Sequence, residues 1–161
     1  NILSDQIFDE IDLSKIGKLV AMTSNSGLND LACTWFEKEL GETNVFRLAS
    51  KEEADNTNLP LPKNVLFNAR VDLVTLVQLI RVKNPFSEIS FESQSEYEGF
   101  RSKFATGMIP LFLSGEGDEF QIITGYTSKT DKLTSLVYVK KPNFDSETVP
   151  DDDQDVEYIQ S

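Results

Sequence analysis

Apolar positions along this chain change period several times, and each change marks an element. Lys18-Leu19-Val20-Ala21-Met22-Thr23 is a short apolar run, as in a strand buried on both faces. It stops at Ser24-Asn25-Ser26-Gly27, residue types that cap helices. Apolar residues then recur at Leu28, Leu31, Ala32, Trp35, Phe36 and Leu40, with spacings of three and four, and Gly41 supplies the stop. Asn44-Val45-Phe46-Arg47-Leu48 is a second strand. Strand, helix and strand with short connections predict a βαβ unit whose two strands run parallel. Upstream, Ser4 is placed to cap a short helix carrying Ile7, Phe8 and Ile11.

Residues 50–63 are polar and carry Pro60 and Pro62, a composition shift that reads as a domain boundary. The pattern resumes with the strand Asn64-Val65-Leu66-Phe67, then a helix from Ala69 to Val82 capped by Asn68. Its polar positions Asp72, Thr75 and Gln78 form one narrow stripe. A helix that apolar elsewhere belongs in a core, or presents a dimer face. Glu88–Glu92 alternates like a half-exposed strand, and Ser95-Glu96-Tyr97-Glu98 matches a capping box. Tyr97, Phe100 and Phe104 give the helix that follows one aromatic face, and Gly107 ends it. Strands are predicted over 108–113, 120–126 and 133–139, with Ser114–Asp118 as a hairpin loop between the first two. The predicted class is α/β: a partial Rossmann-like βαβ unit over 1–50, a linker over 51–63, and a small mixed α+β domain, βαβαβββ, over 64–141.

Charge alters the picture at the C-terminus. Of 27 Asp and Glu against 15 Lys and Arg, seven acids and no base lie in 143–161. With Pro142 and Pro150, residues 142–161 read as a solvated, disordered acidic tail. Asp151, Asp153 and Asp155 mimic the start of an EF-hand loop, but Val156 stands where its Gly belongs and no closing Glu follows. A net charge of −12 disfavours general binding to nucleic acid or to anionic membrane surfaces. The chain contains no histidine, which removes Ser-His-Asp machinery, imidazole bases and His metal sites. Its single cysteine, Cys33, cannot form an internal disulfide and reads as a buried thiol. No apolar run approaches the roughly 18 residues of a membrane span. The first residue is Asn1 and not Met, which reads as a piece of a longer protein. These features suggest an intracellular chain that is not an enzyme, with no catalytic or metal-binding residues to nominate.

One constellation stands out. Thr23, Ser24 and Asn25 lie at the carboxyl end of a parallel strand and lead into a helix N-terminus. Open α/β sheets place ligands at that edge, where free N–H groups and the helix dipole favour anions or ribose hydroxyls. Plain helix capping is the alternative, and Asp30, in the first turn, suits the dipole without a ligand. Gly115-Glu116-Gly117 lacks the third glycine and the following helix of a dinucleotide loop, and reads as a turn.

The run Ile16–Asn25, followed by Leu28-Asn29-Asp30-Leu31-Ala32 and continuing through Phe36–Gly41 to Val45–Leu48, resembles the last βαβ of a TrkA-N (RCK-type) Rossmann domain. In that family a strand ending in Thr or Ser near an Asn opens a helix bearing Leu-Asn-x-Leu-Ala. Glu96–Arg101, Ile109–Phe112 and Leu136–Val139 resemble the domain that follows this module in bacterial NhaP-type cation/proton antiporters. The resemblance implies the regulatory region of a sodium or potassium/proton antiporter at the cytoplasmic face of the bacterial inner membrane. It implies homodimerisation, contact with the parent chain's membrane transport domain, and adenine-nucleotide or NAD sensing at Thr23, Ser24 and Asn25. The family's Gly-rich first turn would lie upstream of Asn1, so that binding is expected to be weak, with no tightly held cofactor. A fragment of a nucleotide-dependent enzyme and a structural dimerisation domain of another membrane or signalling protein are the competing readings.

Overall fold

The computed structural model describes residues 13–102, 107–127 and 132–142. The expected Ser4 helix, Phe104 and the acidic stretch 143–161 lie outside them. After a 3-10 turn at Leu13–Lys15, β1 (Leu19–Ala21) leads into α1 (Ser26–Leu40) and β2 (Val45–Arg47). The two strands pair in parallel, with Leu19 opposite Val45 and Ala21 opposite Arg47, as the βαβ pattern requires. Asn25 is the N-cap of α1, and its side chain accepts from the Leu28 amide at 3.0 Å. Gly41 closes the helix at φ 85°, a conformation glycine adopts without penalty. Cys33 from α1 packs against Ala21 and Val45, the small core of this unit.

The linker expected over 51–63 begins with a helix. Lys51–Asp55 form α2, capped by a full Ser50–Glu53 capping box. The expected strand over 64–67 reduces to a single parallel bridge between Val65 and Arg47. A 3-10 turn at Leu66–Asn68 follows, with Phe67 at φ 67° and Asn68 at φ 45°. The Phe67 amide donates to the Ile123 carbonyl, so a tertiary contact replaces strand pairing there. The helix expected over 69–82 is shorter. α3 spans Leu73–Ile80 and is capped by Asp72, whose carboxylate accepts from the Thr75 amide. An aspartate serves better as a cap than inside a helix, which explains the later start.

The second sheet contains β3 (Phe86–Ser90), β4 (Met108–Gly115), β5 (Phe120–Ile122) and β6 (Leu133–Lys140). All pairings are antiparallel, in the order β3-β6-β4-β5. α4 (Gln94–Arg101) is capped by Ser93, two residues before the predicted cap Ser95. One face of the sheet buries Leu113, Leu136 and Tyr138 against Tyr97 and Phe100 of α4. The opposite face buries Ile109, Leu111 and Val139 against Leu76 and Leu79 of α3. Phe46 and Leu48, from the end of β2, belong to that second core. The register of β4 shifts between Pro110 and Phe112, which lets a proline occupy an interior strand. The chain is therefore a mixed α/β structure with a two-stranded parallel sheet and a four-stranded antiparallel sheet, joined by an apolar core.

Candidate functional site

Thr23 follows β1 and Arg47 ends β2, so the residues nominated from the sequence do stand at the carboxyl edge of the parallel sheet. What they do there is local. The Thr23 amide donates to Asn29 Oδ1 at 3.0 Å, and Asn29 Nδ2 returns a bond to the Thr23 carbonyl at 3.0 Å. The Thr23 hydroxyl lies 2.7 Å from Asn29 Oδ1 and accepts from the Asn25 amide at 3.2 Å. Asn29 is buried and holds the strand-to-helix turn through its amide group. With the Asn25 side chain committed to its cap, Ser24 keeps the one exposed hydroxyl of the three nominated residues that has no bond among the described residues. Both the nominated positions and the alternative of plain capping meet in one turn, whose polar groups largely bond one another.

Beside this turn lies an ionic cluster that sequence patterning did not suggest. Arg47 is 8% exposed although it is charged. Its Nη1 and Nη2 contact the two Glu53 carboxylate oxygens at 2.8 and 2.9 Å, and its Nε lies 2.6 Å from Asp30. A fourth bond runs from Nη1 to the Leu48 carbonyl at 3.0 Å. Bidentate geometry suits the planar guanidinium and stabilises a charge that burial alone would make costly. The Arg47 bond holds the Glu53 carboxyl at about 2, well below its ordinary value. Asp30 is the fifth residue of α1, not part of its first turn, and so answers Arg47 and not the helix dipole. Two carboxylates around one guanidinium leave this cluster with net negative charge, which does not favour a phosphate. The Ser50-Lys51-Glu52-Glu53 spacing was the available signal for α2, but nothing local to the chain announces that Glu53 meets Arg47.

Cys33 is buried, and burial pushes its thiol up from its ordinary pKa despite the opposing pull of Arg47. The buried thiol packs as a small apolar side chain against Ala21 and Val45. Among the described residues no group of three or more acidic or cysteine side chains is placed to hold a metal ion. No described helix is long and apolar enough to cross a membrane. No protein-family profile, no curated protein and no solved structure matches the chain.

Proposed function

We propose that the chain is a non-catalytic regulatory module, sensing a ligand or mediating self-association, in the cytoplasmic part of a bacterial sodium or potassium/proton antiporter. The observation that carries the interaction half of this reading is the outer side of the β1–α1–β2 unit. Among the described residues β1 pairs only with β2, and its Val20 and the Met22 just after it are each 40% exposed. Leu31 and Trp35 on α1 are exposed as well. An edge strand bearing apolar side chains is a template for further pairing, and a second copy of this chain supplies it. In a Rossmann-like arrangement further parallel strands occupy the same side, which supports the TrkA-N resemblance. On this reading the transport domain of the same polypeptide is the second partner, and the module sits at the inner face of the membrane.

Sedimentation tests the interaction half. At tens of micromolar the chain is expected as a dimer, and Val20→Lys with Met22→Lys is expected to return it to 18.1 kDa. A monomer in the unaltered chain overturns self-association. The antiporter assignment is tested by the parent reading frame, which should encode ten or more apolar segments of about 20 residues.

A further inference from the structure

A cavity of about 580 Å³ opens between α2, the 66–70 turn, α4 and the strand ends of the second sheet. That is the volume of a small-molecule site, and far from the Thr23–Asn25 turn in its chemistry. Three cations line it, Arg70, Arg101 and Lys141, and no acidic side chain among the described residues does. None of the three has a carboxylate partner among the described residues, in a protein whose acids outnumber its bases by twelve.

Each cation is presented differently. Arg70 is half-buried, and its guanidinium donates to the carbonyls of Glu53, Asn56, Thr57 and Leu59. Carbonyl dipoles fix its position without cancelling its charge, so it forms a stationary positive wall. Arg101 and Lys141 are exposed and retain their donors for direct contact. Thr124, 5% exposed, adds a neutral donor: its oxygen accepts from the Tyr126 amide, and its own proton has no acceptor among the described residues.

The remaining wall is apolar. Phe67, Met108 and Ile123 line it, together with the ring of Tyr97. Phe67 reaches this wall from a left-handed backbone conformation that is a real outlier for a bulky residue. Such conformations persist only where surrounding structure holds them, and they concentrate at ligand sites.

We propose that this cavity binds an organic anion, a phosphate or carboxylate group carried on a planar apolar body. The anionic group meets Arg101 and Lys141 with Thr124, and the body lies against Phe67 and Met108. Arg70 supplies standing charge behind them. The proposal rests on the sensing half of the function proposed above and is independent of the antiporter assignment. It also moves the expected anion from the acidic Arg47 edge to a cavity with unspent positive charge.

The test is an NMR titration of the whole chain with 1-naphthyl phosphate, with 1-naphthoate as the carboxylate arm, and with 1-naphthol and inorganic phosphate as the two halves. At least one of the naphthyl anions is expected to saturate the amides of Phe67, Arg70, Thr124 and Thr127 below about 1 mM. Each half alone is expected to bind at least about tenfold more weakly, because neither satisfies both walls. Arg101→Gln with Lys141→Gln is expected to weaken the anions about tenfold and leave naphthol unchanged, a pattern that general loss of structure would not give. Saturation at Thr23–Asn25 in place of the cavity overturns this assignment and keeps the sensing reading. No saturable shift with either anion overturns both, while self-association stands or falls on sedimentation.

Discussion

The β1–α1–β2 unit and the four-stranded sheet are held together by different means. Ala21, Cys33 and Val45 are the buried core of the first, in a parallel pair three residues long. Two short strands under one helix bury too little to stand alone. The second sheet is covered on both faces, by α4 on one side and by α3 with the end of β2 on the other. The smaller unit compensates by attachment. Phe46 and Leu48 plug into the larger core, and Arg47 between them ties α1 to α2 through Asp30 and Glu53. Alternate residues of one strand thus serve an apolar and an ionic anchor, because successive side chains point to opposite faces. Phe46 and Leu48 thus fasten the parallel pair to the core of the antiparallel sheet.

The comparison breaks most severely at the larger sheet. A Cβ on Gly115 would sit 1.7 Å from the carbonyl oxygen of Lys132, the residue before β6, so backbone beside the Gly115–Leu133 pair must shift to admit it. Gly115→Ala is expected to cost more than about 4 kcal/mol, at the extreme of single substitutions. Chemical denaturation should show both regions unfolding together, since the smaller one leans on this sheet.

Arg47→Met should separate the two. It leaves Glu53 without its guanidinium and is expected to cost about 3 kcal/mol. Hydrogen exchange is expected to rise in β1, α1 and α2 while β4 and β6 stay protected; uniform loosening would contradict the attachment picture. Adding Glu53→Gln should recover part of the loss, since the stranded carboxylate is then gone.

Acid probes the same tie reversibly. Glu53 has a folded pKa of about 2 against an ordinary 4.5, so its contribution is complete above about pH 4.5 and is lost as pH falls toward 2. That contribution is on the order of 3 kcal/mol. In Glu53→Gln the pH dependence of stability between 4.5 and 2 should flatten, and an unchanged slope would remove Glu53 from the account.

The smallest effect is expected from Val20→Lys. Its side chain is exposed on an edge strand, so monomer stability should change by no more than about 0.5 kcal/mol. Association, read by sedimentation, should change far more.

Much of the layout was legible in the chain. The spacing from Leu28 to Leu40 located α1, and the Asn25 and Gly41 signals marked its ends. Alternation and apolar runs located β3, β4 and β6 to within a few residues. Where the structure departs from the pattern, the causes are physical. Val65-Leu66-Phe67 has strand composition, but the Phe67 amide is taken by Ile123, and two left-handed residues turn the chain away. Periodicity alone extends the helix over 69–82 because Asp72 fits its polar stripe, whereas Asp72 is the N-cap of α3. In the candidate site, Thr23, Ser24 and Asn25 do follow β1 at the sheet edge, while nothing local to the Leu28–Ala32 run shows that Asn29 holds Thr23.

What the sequence determined by itself is everything set by neighbours in the chain: periodicity, caps, the parallel βαβ connection, and the excess of acid. Those depend on residues within about a helical turn or two of one another. Only the tertiary structure decided which distant groups share a low-dielectric space. The sheet order β3-β6-β4-β5, the burial of Arg47 between Asp30 and Glu53, and the meeting of Arg70, Arg101 and Lys141 at one cavity are of that kind. The residues joined in each case lie on separate elements. A charge that reads as surface in the chain becomes a clamp or a binding group only when packing removes the water around it.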